Sequence, residues 1–335
     1  MNETKIAIIG CGKQAPKHIS GLCSIPGVKL VLADIDESLA KALAKKEGLA
    51  WVPSVDSVFS DDTIQAVDIC TPTSRHAEQI RSAIEAGKDF ICEKPLCEEL
   101  SVARELAELV EKHHRIGMLG YIYRFAPIFE LGRILFEEVP KTGESLVMGK
   151  IVSAHFRLGG RGSHQVWKHR KESSGGAINE MLVHMIDLAI WYFGAVKHVD
   201  VLACDLLRKR RVIQGIEYEV DAEDYVLARM EMESGVSVFC QADLVTPAFT
   251  QFIEVQGENG TFMGSIQPDM PSFLYCNKER AGYRAGKTPF DLGPHNLFEA
   301  QMADFVNAVR TRKPPSRSTI KDSVLLMEAM NEVLR

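Results

Sequence analysis

Residues 6–15 read IAIIGCGKQA, an apolar run broken by two glycines and closed by a small residue. Four consecutive apolar residues bounded by glycine make Ile6 to Ile9 a short buried strand. Gly10-Cys11-Gly12-Lys13-Gln14-Ala15 is then a G-x-G-x-x-A turn that enters a helical stretch containing Ile19, Leu22 and Ile25. In such a turn Gly10 permits the tight bend, Gly12 lets the backbone approach a pyrophosphate, and Ala15 lets the helix lie close to the strand. The N–H groups that open the helix face the anion, with Lys13 and Gln14 on the turn itself. A six-residue match is weak alone, because many glycine turns are only turns. Its context strengthens it: Val28 to Ala33 reads as a second strand, and Asp34 closes it about twenty residues after the turn, where a carboxylate accepts from ribose hydroxyls. The same charge repels a 2′-phosphate, so NAD is expected in preference to NADP, with Lys13 and Lys41 pulling the other way. A capping or surface role is the plain alternative for Asp34.

The alternation continues outward. Ala66 to Cys70 is apolar apart from Asp68, Thr71-Pro72-Thr73-Ser74 is a turn, a helix runs from about His76 to Ala86, and Gly87 ends it. Phe90-Ile91-Cys92 forms the next strand and Glu93-Lys94-Pro95-Leu96 its carboxyl end. A further helix and the short strand Gly117 to Gly120 follow. Strand–helix units in this order imply a parallel, doubly wound sheet with right-handed crossovers, whose carboxyl edge faces a ligand crevice. Lys94 therefore stands where such a fold places its chemistry.

After Arg124 the pattern changes. Pro127 to Phe136 is helical, Val236 to Ala242 alternates, and Phe252 to Phe262 reads as a hairpin turning at Asn259-Gly260. The expected fold class is α/β: an N-terminal Rossmann domain over 1–122, and a C-terminal α+β domain over 123–335 with a mostly antiparallel sheet. The closing helix, with Phe298, Met302, Phe305, Val306 and Val309 on one face, reads as ordinary core.

With 335 residues, 46% of them hydrophobic, there is enough apolar content for two cores. A formal charge of −6 without a basic tract excludes nucleic acid and anionic membrane as expected partners. The eight cysteines are scattered and form no CxxC pair, which suits reduced thiols and a cytoplasmic setting. No spanning or export segment is apparent. No set of His, Cys and carboxylate residues has metal-ligand spacing, so no metal is expected.

The glycine turn, the stretch Thr71 to His76, the run Ala86 to Leu96, and Ser174-Gly175-Gly176-Ala177-Ile178-Asn179-Glu180-Met181-Leu182-Val183-His184 together resemble the glucose–fructose oxidoreductase, inositol dehydrogenase and rhizopine-catabolism (Gfo/Idh/MocA) family. The resemblance runs from residue 6 to near the C-terminus. It implies an NAD(P)-dependent oxidoreductase that moves a hydride between nicotinamide and a carbon bearing a secondary hydroxyl, on a sugar, sugar derivative or inositol. By the same resemblance Thr71, Pro72, His76, Glu93 and Lys94 join Gly10, Gly12, Lys13, Gln14 and Asp34 as cofactor-binding positions. Lys94 takes the place of the family's site lysine and His184 that of its histidine. The acid four residues earlier, usually aspartate, is here Glu180.

The chemistry asks for these residue types independently. Removing a hydroxyl proton as hydride leaves suits an imidazole near neutrality, and a lysine can hydrogen-bond the developing alkoxide. His184 is therefore assigned as base, Lys94 as its partner, and Glu180, sharing a helical face at i and i+4, as the third catalytic group. Pro95 fixes the backbone beside Lys94, with a cis bond as one option. His76 caps a helix or meets a ligand. The loop from Arg157 to Lys171 carries Arg161, Trp167 and Arg170, with Lys168 between the last two, and these point to stacking on a sugar face or binding an anionic or nucleotide-linked sugar. A mobile surface loop is the plain alternative. The second function class is a cofactor-binding regulatory protein of the same fold without turnover. The outer face of the antiparallel sheet leads to an expected homodimer or homotetramer.

Overall fold

The computed structural model describes residues 3–162, 165–293 and 295–334, so Ser163 and His164 of the basic loop lie outside the described residues. The chain divides into two compact units, Met1–Phe125 with His295–Met327, and Ala126–Pro294 with Glu328–Arg335.

The first unit is a parallel sheet wrapped by helices. Its strands are β1 (Thr4–Ile9), β2 (Val28–Ala33), β3 (Ala50–Trp51), β4 (Ala66–Ile69), β5 (Asp89–Cys92) and β6 (Gly117–Leu119), in the order β3-β2-β1-β4-β5-β6. Helices α1 (Ala15–Cys23), α2 (Glu37–Glu47), α3 (Val55–Ser60), α4 (Thr73–Glu85) and α5 (Leu100–Lys112) connect them. Every residue of β4 and β5 is buried, as near-continuous apolar strands covered on both faces should be. Because the strands are parallel and β1 and β4 are neighbours, the ends of β1, β4 and β5 share one edge, the edge from which the glycine turn and Lys94 both rise.

In the second unit, helices α6 (Pro127–Leu135), α7 (Val139–Thr142) and α8 (Val183–Phe193) accompany a large sheet. Its strands are β7 (Glu144–Ser145), β8 (Gly149–Gly159), β9 (Val196–Asp205), the separate hairpin β10 (Arg210–Ile213) and β11 (Ile216–Glu219), then β12 (Tyr225–Met232), β13 (Ser237–Asp243), β14 (Thr250–Gly257), β15 (Gly260–Gly264), β16 (Phe273–Cys276) and β17 (Gly286–Pro289). The order is β17-β16-β15-β14-β8-β13-β12-β9, antiparallel except where β13 meets β8. Alternation of buried and half-buried positions along β12 and along Thr250 to Val255 of β14 gives the sheet one core face. On that face lie Phe156 and Phe262, packed with Phe136 and with Tyr192 and Phe193 of α8.

A single cut at 122–123 is near the first break but omits the return of the chain. Helix α9 (Leu297–Thr311) belongs to the first unit, where Met302, Phe305 and Val306 are buried in the same core as Ile6 and Leu22. The reason is local: Gly21 of α1 has no side chain, and a Cβ there would come within 2.7 Å of the Phe298 carbonyl oxygen. The last helix, α10 (Ile320–Val333), follows.

Candidate active site

The glycine turn is built as its residues require. Gly10 has φ +97°, and a Cβ on it would meet the Cys70 carbonyl at 2.9 Å. Gly12 is open, with nothing within 4 Å of where a Cβ would stand. Gln14 is the N-cap of α1 and makes no side-chain cap, so the first N–H groups of the helix have no such acceptor. Asp34 at the end of β2 accepts the Cys11 N–H at 2.7 Å and the Asp36 N–H at 2.9 Å, which fixes its carboxylate beside the turn. Bare backbone, an uncapped helix start and a fixed acid fit a dinucleotide's pyrophosphate and ribose. Ile35 next to Asp34 is 91% exposed, an apolar surface that the pattern reading missed; its signal was an apolar residue directly after the acid.

The other cofactor-edge residues have varied duties. Lys13 is exposed, and Pro72 is the exposed N-cap of α4. Thr71 donates its hydroxyl to Gln79 at 2.6 Å. His76 is buried, with Nδ1 2.8 Å from the Pro95 carbonyl and Nε2 2.9 Å from the Thr71 carbonyl. The ring braces the two loops and both nitrogens are engaged by backbone, so it holds the cofactor edge in shape; burial pushes its pKa down. The Lys94–Pro95 bond is cis, and Lys94 is half-buried.

Glu93 faces inward. Its Oε1 accepts from His18 Nε2 at 2.9 Å and from Gln14 Nε2 at 3.2 Å, and Oε2 accepts the Lys94 N–H at 3.2 Å. Nδ1 of His18 is 2.9 Å from Asp68 Oδ2, and neither side chain is exposed. Burial opposes charge on Glu93, but the hydrogen bond and charge of His18, then Lys94, overcome it and hold the carboxyl at about 2. For His18, burial is likewise opposed and outweighed by Asp68 and Cys70, and its pKa stands well above the ordinary value. His18, Asp68 and Cys70 also offer ligand atoms within 4.8 Å of one another, a set whose sequence spacing gave no signal because it comes from two elements. Nδ1 and the carboxylate are at hydrogen-bond distance, and burial and Asp68 push the Cys70 thiol up to about 12; this is the geometry of a proton-bridged pair.

In the second unit the Gly175-Gly176 pair sets the local backbone. A Cβ on Gly175 would come within 2.6 Å of the Lys168 carbonyl, and one on Gly176, at φ +112°, would run into the Glu223 carboxylate. The Gly176 N–H donates to the Lys168 carbonyl at 3.0 Å, tying the basic loop to the start of the helix. Glu223 accepts the Ile178 N–H at 3.1 Å, and burial pushes its pKa up. From there Ile178–Leu182 forms a π-helical turn running into α8. Glu180 lies in that turn and His184 in the first turn of α8, both half-buried, so the i, i+4 face expected of a regular helix is rewound by i→i+5 bonding. Such single π turns recur at functional sites.

Glu180 has a partner the sequence did not indicate: Lys168 Nζ at 2.5 Å. The same ammonium lies 5.1 Å from the centre of the Trp167 ring, which is 44% exposed. Arg157 is held by Asp243 at 3.2 Å and Thr246 at 3.0 Å, and Arg161 donates to the Pro247 carbonyl at 2.5 Å. Three of the loop's cations are thus engaged within the unit. Asp187 is buried on α8.

Residues 4–121 match the oxidoreductase family with an NAD-binding Rossmann fold, and residues 136–263 match the Gfo/Idh/MocA C-terminal domain. Levoglucosan dehydrogenase of Pseudarthrobacter phenanthrenivorans is 25% identical over 85% of this chain and 80% of its own. The scyllo-inositol 2-dehydrogenase (NAD(+)) of Bacillus subtilis is 26% identical over 97% of this chain and 92% of its own. A solved levoglucosan dehydrogenase in complex with NADH and L-sorbose shares the fold, with TM-score 0.87 at 21% identity, covering 99% of this chain and 96% of that one. With both halves matched in order, the chain belongs to the Gfo/Idh/MocA family of NAD-binding oxidoreductases.

Proposed function

We propose that the protein is an NAD-dependent dehydrogenase of a secondary alcohol on a sugar or inositol ring, with Lys94, His184 and Glu180 as its catalytic groups. The observation that carries this reading is the shared carboxyl edge of β1, β4 and β5, where the open Gly12 backbone and Lys94 stand together. NAD held by the glycine turn and Asp34 would supply the hydride acceptor for the alcohol carbon. His184 takes the hydroxyl proton, and Lys94 donates a hydrogen bond to the alkoxide that forms, leaving a ketone; in the reverse direction both donate. Glu180, neutralised by Lys168, accepts a neighbouring hydroxyl of the ring and orients it.

The substrate reading follows the charges. Arg157 and Lys168 are each paired with a carboxylate, which offsets two of the loop's cations, and Trp167 offers a face for a neutral ring. A neutral polyol is favoured, and the named dehydrogenase relatives support it. An anionic or nucleotide-linked sugar is the second reading, favoured by the half-buried Arg170 beside Trp167 and Lys168 in the loop. The cofactor-binding protein without turnover is not favoured. The outer face of the large sheet, with Val152 and Val201 exposed, suits a homo-oligomer, and eight unpaired cysteines suit the cytoplasm. None of the helices of the described residues is long and apolar enough to cross a membrane.

The test is reduction of NAD and NADP against inositols, neutral sugars, uronic acids and sugar phosphates. NAD reduction with a neutral polyol is expected; turnover restricted to anionic sugars, and lost in Arg170→Ala, would transfer the conclusion to the second reading. No turnover with any member would overturn the enzyme reading. Asp34→Ala should narrow the preference for NAD over NADP, and an unchanged ratio of the two affinities removes Asp34 as ribose ligand.

A further inference from the structure

Behind the glycine turn of the first unit, α1 and the ends of β4 and β5 are joined by one imidazole. His18 and Gln14 are one helical turn apart on α1, and both donate to Oε1 of Glu93. The other nitrogen of His18 faces Asp68. A ring with a carboxylate at each nitrogen satisfies both only when both nitrogens carry protons. Loss of either proton would turn one nitrogen into a lone pair aimed at an anion. Glu93, so held, accepts the backbone N–H of Lys94 with its second oxygen.

We propose that His18 is a positioning residue whose doubly protonated ring locks the Glu93–Lys94 backbone to the cofactor turn, so that Lys94 keeps its catalytic place only while both protons are present. The inference rests on the reading that Lys94 serves hydride transfer. The groups facing the ring are Asp68 from β4, the Cys70 thiol at 3.4 Å just past the end of that strand, Glu93 from the end of β5, and Gln14 from the N-cap of its own helix. From α9 comes the ring of Phe298, with centroids 5.4 Å apart, and Lys17 Nζ lies 5.6 Å from that phenyl centre. Lys94 is the next cation, reached through Glu93. The upward shift of His18 agrees with a ring that stays charged through neutrality.

Asp68→Asn is the informative variant. It keeps the shape of the site but removes the charge that outweighs burial, so the pKa of His18 should fall into the working range. Wild type should show no His18-linked change in kcat near neutrality. The variant should gain an alkaline limb: kcat falls by about ten- to a hundredfold as pH rises and recovers in acid, the scale expected when a reacting group is misplaced by about an ångström. Histidine and lysine residues labelled with nitrogen-15 give a readout independent of turnover. In the variant, the Lys94 amide signal should move with the same midpoint as the His18 ring. A neutral His18 ring in the wild type at neutral pH, or a Lys94 amide that stays fixed while His18 titrates, overturns the proposal. The wild-type measurement decides even if the variant does not fold. Absence of turnover on every polyol would count against the proposed function alone, and the two nuclear signals would still judge the lock.

Discussion

The two units hold their candidate carboxylates in opposite ways. Glu93 is buried at a strand end and fully committed to protein groups, whereas Glu180 is half-buried on a π turn and paired with Lys168 from a loop. In the first unit, a parallel sheet fixes the backbone and a chain of charged groups fixes one lysine on it. In the second, two glycines let a loop and a helix start pack closely enough for Lys168 to reach Glu180. A rigid anchor suits a group that must meet the same cofactor each time, and a loop-borne pair suits the side that chooses the substrate.

Changes at four positions test this contrast. Lys94→Ala removes the group the first unit is built to hold, so kcat should fall by about two to four powers of ten while NADH binding and thermal stability change little. Turnover near wild type on a confirmed substrate would reduce Lys94 to an edge charge. Glu180→Gln should lower kcat by about tenfold or more with NADH affinity preserved, and Glu180→Asp should be milder because charge survives and only reach changes. If the two variants are indistinguishable from wild type in kcat and KM, the second unit's pair is structural only.

Gly176→Ala addresses the backbone beneath that pair. At φ +112° and against Glu223, the added methyl should cost about 1–3 kcal/mol, read as a lower unfolding midpoint in urea, and should raise KM by displacing Lys168. A variant as stable as the parent would mean the turn can relax. The smallest effect is expected in acid. The Glu93 carboxyl is held at about 2, below its ordinary ~4.3, so its contribution to stability is present above ~4.3 and lost as pH falls toward 2. Glu93→Gln should flatten stability across that window. An unchanged acid profile would show that the His18 pair adds nothing there.

Much of the fold was legible. The G-x-G-x-x-A turn, the spacing to Asp34 and the strand–helix alternation each follow from short-range rules, and the parallel sheet with its neighbour antiparallel sheet is what they implied. The Glu93-Lys94-Pro95 run could be placed at a strand end for the same reason. The Gly175-Gly176 pair was visible as a motif, but its purpose was not: one glycine is needed because Lys168 passes close by, the other because Glu223 does.

By itself, then, the amino-acid order determined which elements form and which residue types stand at the carboxyl edge, because hydrophobic periodicity and turn chemistry act over a few residues. Only the tertiary structure decided that His18 lies between Asp68 and Glu93, fifty and seventy-five residues away, and that Lys168 belongs to Glu180 across a π turn. Partner choice among charged groups depends on burial and on distances between elements. Those distances exist only once the chain has packed, when a buried charge left without its partner would be costly enough to select one arrangement.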